Sequence, residues 1–91
     1  MKKAIRMYIR GLVQGFSFRN FVKQNAEVLN VKGFVRNLED GRVEVFAEGD
    51  IDDINKLIEI CKQGPKHAKV DNVEVKDERF QELKDFKILH V

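Results

Sequence analysis

One cysteine in 91 residues removes two kinds of architecture at once. Cys61 alone cannot close an internal disulfide, nor can it supply the thiolates of a structural zinc site. No apolar run exceeds a few residues, so no segment reads as a helix spanning a bilayer. The N-terminus is basic, but Arg6 and Arg10 interrupt the apolar stretch that a secretory signal requires. Net charge is scarce as well. Seventeen basic against 15 acidic residues leave +2, too little for a general polyanion binder. The chain reads as a small protein without covalent staples, most simply cytoplasmic, with no membrane and no nucleic-acid partner.

Apolar side chains, by contrast, are plentiful. Ile, Leu, Val and Phe fill 31 of 91 positions, enough for one core, and 10.6 kDa leaves room for one domain over residues 1–91. Charge is unevenly spread. Residues 1–40 hold eight basic and three acidic side chains, and residues 41–91 hold nine and twelve, giving local charges of +5 and −3. An anion is expected to prefer the first half.

Period and punctuation place six elements and a short last strand. Residues 4–10 alternate, with Ile5, Met7 and Ile9 on one face and Arg6, Tyr8 and Arg10 on the other, which predicts a half-buried strand. A two-glycine loop over 11–17 leads to a helix from Phe18. Phe18, Phe21, Val22, Ala26 and Leu29 form its apolar face, with Ser17 as N-cap and Asn30 as the left-handed residue at its end. Strands over 31–38 and 42–49 flank Glu39-Asp40-Gly41, a hairpin signal. A second helix over 52–63 carries Ile54, Leu57, Ile58 and Cys61 on one stripe and stops at Gly64-Pro65. Strands over 70–76 and 86–91 complete the chain, with a charged loop over 77–85 between them. The order β-α-β-β-α-β with a short extra C-terminal strand predicts an α+β, ferredoxin-like two-layer sandwich on an antiparallel sheet.

The two helix starts differ in charge. Asp50, Asp52 and Asp53 crowd the second, where the helix dipole favours carboxylates. The first has no carboxylate and places Arg19 in its opening turn, against the dipole, at a cost of about 0.3–1 kcal/mol. The preceding loop is uncharged, and its glycines allow backbone N–H groups to turn inward together. A phosphate suits such a place, held by loop N–H groups, the helix dipole and a bidentate Arg19. The alternative is an exposed arginine on an ordinary strand–helix turn. The Gly-x-x-x-x-Gly-Lys-Ser/Thr pattern is absent, so a nucleotide P-loop is not indicated.

Ile9-Arg10-Gly11-Leu12-Val13-Gln14-Gly15-Phe16-Ser17-Phe18-Arg19 resembles the N-terminal signature of the acylphosphatases. Gly33-Phe34-Val35-Arg36-Asn37, followed by Gly41, Val43 and Gly49, resembles their second signature, and Gly64-Pro65, Ala68, Val70, Phe86 and Ile88 match later landmarks. The resemblance covers essentially the whole chain. It implies hydrolysis of acyl phosphates to a carboxylate and inorganic phosphate, by a monomer needing no metal or other cofactor. Arg19 and Asn37 become the implied catalytic pair, with residues 14–18 as the phosphate cradle. Three positions depart from the family. Phe16 stands where Val is usual and adds bulk at the cradle. Asn30 replaces a frequent glycine, and Lys66 a frequent second proline, with little evident consequence for the chemistry.

The reaction makes modest demands. A carboxylate with a conjugate-acid pKa of about 4–5 already leaves well, so the tasks left are stabilising phosphoryl charge and placing water in line. Arg19 and the loop amides suit the first task. Asn37 suits the second, since its amide both donates and accepts. Its alternative role is a strand-end asparagine serving the turn at Asp40-Gly41. His67 and His90 have no partners at metal-ligand spacing and are expected at the surface or in packing, and Cys61 is expected in the core. The aspartates at 50, 52 and 53 cap a helix more readily than they bind a cation. The principal rival is an RNA-binding module of the same element order, but its RNP1 pattern is absent and Phe46 is flanked by Glu44 and Glu48. A non-catalytic ligand-binding module would have no need of Asn37. An acylphosphatase-like part of a larger maturation enzyme would be expected to continue into zinc-finger cysteines.

Overall fold

The strongest alternation in the sequence becomes the centre of the protein. In a computed structural model, which describes residues 1–90, Ile5, Met7 and Ile9 are buried on β1 (Lys2–Leu12), and Val43, Val45 and Ala47 are buried beside them on β3 (Val43–Asp50). The remaining strands are β2 (Lys32–Asn37), β4 (Lys69–Glu78) and β5 (Phe86–Ile88). They form one sheet in the order β4-β1-β3-β2-β5, antiparallel except for the β2–β5 pair. Two helices, α1 (Phe16–Val28) and α2 (Ile51–Gln63), cover one face with Phe18, Val22, Ala26, Ile54, Leu57 and Cys61. The expected α+β sandwich is therefore the one observed. Among the described residues no helix is long and apolar enough to cross a membrane.

Boundaries move for physical reasons. β1 runs on to Leu12 past an irregularity at Arg10/Gly11, where φ of 135° and a strand neighbour leave no room for a side chain. A Cβ on Gly11 would lie 2.0 Å from the Lys69 carbonyl oxygen. α1 starts two residues early, capped by Gly15 at φ 102° rather than by Ser17, which lies inside the first turn. Only glycine reaches that backbone geometry readily, and it places no side-chain acceptor over the helix amides. α2 starts one residue earlier than expected, at Ile51, and the carboxylate of Asp50 before it accepts from the Ile51 amide at 3.1 Å. The end of α1 follows expectation. Asn30 is left-handed at φ 57°, with Asn30 N–H donating to the Glu27 carbonyl and Val31 N–H to that of Ala26, a Schellman closure. β4 absorbs Asp77 and Glu78 from the expected loop. β5 ends at Ile88, short of the expected strand over 86–91, whose Val91 lies outside the described residues.

The other face of the sheet is charged but not open. Because β3 is central, its alternate residues are buried too: Glu44, Phe46 and Glu48 are all less than 5% exposed. Glu44 lies between Arg6, at 2.7 Å, and Arg36. Burial works against its charge, but hydrogen bonds from both guanidinium groups prevail and hold the carboxyl below the usual glutamate range. The stability of this pairing is therefore present above the ordinary glutamate pKa and is lost as pH falls through the lowered folded value. The difference in urea stability between wild type and Glu44→Gln should be largest at neutral pH and shrink in acid.

Residues 79–85 link the two edges of the sheet by passing over Glu48. Its carboxylate accepts the Gln81 and Leu83 amides, both at 2.5 Å. Glu48→Ala strips two amides of a charged acceptor and should cost about 2–4 kcal/mol in urea unfolding. Glu48→Gln, which keeps one acceptor oxygen, should cost less.

Candidate active site

The loop between β1 and α1 lies at the end of a strand with neighbours on both sides. Val13 is fully buried and anchors it, while Gln14, Gly15, Phe16 and Ser17 are exposed. The first turn of α1 carries no acidic residue and no side-chain cap. The helix amides thus face outward without a protein acceptor from the cap, and the positive end of the dipole is not neutralised. Arg19, half-buried, folds back over this turn. Its Nε donates to the Gly15 carbonyl at 3.3 Å, and its guanidinium lies 5.9 Å from the centre of the Phe16 ring.

Phe16 is 56% exposed, so the bulk added at the cradle points away from the core and against the arginine. A cation–π contact at an exposed site is worth about 0.5–1 kcal/mol. Phe16→Val should therefore change kcat/KM by no more than about fivefold, with any loss arising from looser placement of Arg19. Phe18 points the opposite way, into the core at 2% exposure, which fixes the direction of the turn.

Asn37 ends β2 opposite Val43. Its Oδ1 is buried, and among the described residues it has no hydrogen-bond partner. An unpaired buried acceptor costs about 1–3 kcal/mol, a cost that a bound water or ligand offsets. The turn-capping role expected as its alternative falls to others. Leu38 N–H donates to the Arg42 carbonyl, Gly41 N–H to the Leu38 carbonyl, and Asp40 accepts from the Arg42 amide.

Among the described residues no hydrogen bond joins the Arg19 and Asn37 side chains, but their elements are tied. The Gln14 side chain donates to the Gly41 carbonyl at 2.6 Å and reaches the Arg42 carbonyl at 3.5 Å, joining the loop to the hairpin that carries Asn37. The sequence suggested Gln14 only as part of the cradle. Its cross-strand reach depends on register, which no local pattern displays. A groove of about 270 Å³ on the far side of the loop, lined partly by Lys66 and His67, was also not anticipated.

The acylphosphatase family model matches residues 5–88. The chain belongs to the acylphosphatase family. An acylphosphatase of Rubrobacter xylanophilus is 47% identical over 76 residues, covering 84% of this chain and 69% of its own. One of Syntrophus aciditrophicus is 43% identical over 91 residues, covering 99% and 95%. The solved acylphosphatase of Coxiella burnetii superposes with a TM-score of 0.92 at 36% identity, over 97% of this chain and 93% of that one. The chain is thus an enzyme of the acylphosphatase family, with the ferredoxin-like fold of its structural relatives.

The remaining candidates are accounted for. Cys61 is fully buried in α2, and burial pushes its thiol up to about 12, so it serves packing rather than nucleophilic chemistry. His67 and His90 are exposed, and among the described residues no group of three or more His, Cys, Asp or Glu could hold a metal ion. Phe46 stacks on Phe34 at 5.8 Å beneath Arg6 and is fully buried, so it offers no face to a nucleic-acid base.

Proposed function

We propose that residues 1–91 act as one monomeric, cytoplasmic domain that hydrolyses acyl phosphates at phosphorus, with Arg19 holding the phosphoryl group and Asn37 orienting the attacking water. The observation that carries this reading beyond the family is the buried, unpartnered Oδ1 of Asn37. That oxygen can accept a hydrogen bond from water and aim the water's lone pair at phosphorus.

The phosphoryl group binds where the uncapped amides of Gly15, Phe16, Ser17 and Phe18 and the Arg19 guanidinium meet. The helix dipole and the cation, mutually unfavourable in the empty site, both become favourable once an anion is bound. As the transition state spreads charge over the equatorial oxygens, these fixed donors stabilise it without rearranging. Water oxygen forms a bond to phosphorus while the bond from phosphorus to the acyl oxygen breaks. The electron pair leaves with the carboxylate, and the water's protons remain on inorganic phosphate or pass to solvent. Asn37 has no titratable group, so it positions the water rather than deprotonating it. Inorganic phosphate retains the recognised group and is expected to inhibit competitively. The buried free thiol of Cys61 suits a reducing compartment.

Hydrolysis of acetyl phosphate in the presence of a chelator tests the reading. Turnover that persists with chelator supports it, while activity lost on chelation and restored by a divalent ion would overturn a mechanism resting on Arg19 and amides.

A further inference from the structure

The groove of about 270 Å³ beside the loop has no part in the mechanism so far. One wall is Gln14, Ser17 and Phe18, and the other includes Lys66 and His67 on the turn between α2 and β4. Leu12, Pro65 and Ala68 give the lining an apolar character. Among the described residues no acidic side chain lines it, and Lys66 is the one formally charged side chain in its lining.

Its position relative to Asn37 is informative. The sheet order β4-β1-β3-β2-β5 sets the end of β1 between β4 on one side and β3 and β2 on the other. Asn37 ends β2, and the loop is tied to the β2–β3 turn through Gln14. Lys66 and His67 lie on the segment entering β4. The loop therefore has Asn37 on one flank and the groove on the other. In phosphoryl transfer the entering and leaving oxygens lie roughly in line through phosphorus. Water that enters from the Asn37 flank sends the acyl oxygen out toward the groove. A second hollow, of about 420 Å³, is lined by Arg36, Asn37, Leu38 and Glu39. It lies on the entering side, and Glu39 makes it a poor host for an anionic leaving group.

We infer that the groove receives the acyl portion of the substrate, and that Lys66, with His67 beside it, favours acyl phosphates bearing a second anionic group. The monoacyl phosphate of a dicarboxylic acid is the simplest such compound. The inference rests on the hydrolase reading above. The groove is at the small end of ligand sites, which suits a short acyl chain. Lys66 is exposed, so its charge acts through solvent and its effect on selectivity is moderate and salt-sensitive.

The test compares kcat/KM for succinyl phosphate and acetyl phosphate in wild type, Lys66→Met and Lys66→Glu. Wild type should favour succinyl phosphate. That preference should fall about threefold in Lys66→Met and about tenfold in Lys66→Glu, chiefly through KM, because the contact is remote from the reacting atoms. It should also shrink in about 1 M salt, where the screening length is about 3 Å. A substrate ratio unchanged by Lys66→Glu would overturn the assignment of the groove while leaving the hydrolase reading intact. Failure of wild type to hydrolyse either compound would overturn the hydrolase reading itself, and the groove assignment with it.

Discussion

Arg19→Ala should lower kcat/KM for acetyl phosphate by about 10³–10⁵-fold, the range seen when an arginine that meets phosphoryl charge is removed. The protein should nevertheless fold as well as before. Among the described residues the Arg19 side chain makes one hydrogen bond, to the Gly15 carbonyl, and one contact with the Phe16 ring, both at the surface. Those contacts are worth little, and the cation opposes the α1 dipole at a cost of about 0.3–1 kcal/mol. Urea denaturation should therefore show stability unchanged within about 1 kcal/mol or slightly increased. Competitive inhibition by inorganic phosphate should weaken in parallel with activity. Arg19→Lys should recover only part of the loss, because an ammonium group cannot hold two phosphoryl oxygens with the geometry of a guanidinium. Near-normal turnover in Arg19→Ala would remove the guanidinium from the mechanism.

Asn37→Ala should act differently. On the proposed role of its amide in orienting water, kcat should fall by about 10²–10³-fold while KM and phosphate inhibition change little. Stability is the more diagnostic readout. Oδ1 is buried without a partner, and an unsatisfied acceptor of this kind costs about 1–3 kcal/mol. Removing it offsets the lost packing of the side chain, so the midpoint of urea unfolding should hold or rise as activity disappears. A purely structural asparagine would give the reverse pattern, with marked destabilisation and activity per folded molecule preserved. Asn37→Asp should be about as inactive as Asn37→Ala, since a carboxylate beside the phosphoryl group repels it and cannot donate as the amide does.

Much of this arrangement is legible in the sequence because it is local. The alternation of Ile5, Met7 and Ile9, the helical spacing of Phe18, Val22 and Ala26, and the left-handed Asn30 each follow from a few consecutive residues, and each appears as expected. The missing carboxylate at the start of α1 could also be read directly, and the first turn carries no side-chain cap either. What escaped notice depends on pairing across the sheet. Gly15 takes the cap from Ser17 because the chain must turn sharply out of an extended β1, and a φ of 102° leaves glycine as the residue that fits. Glu44 and Glu48 look like the wet side of a strand in an alternating run. β3 is central, however, and two arginines cover one carboxylate while the 79–85 segment covers the other. Lys66 looked immaterial as a replacement for proline. It gains meaning only when the order of strands sets it across the loop from Asn37.

Oxygen-18-labelled water tests the central claim most directly, because the two bonds that hydrolysis can break leave the label in different products. Attack at phosphorus, with Asn37 orienting the water and Arg19 holding the phosphoryl oxygens, places the label in inorganic phosphate and leaves acetate unlabelled. Label recovered in acetate would mean that water attacks the carbonyl carbon, and the roles given to the loop, Arg19 and Asn37 would be wrong.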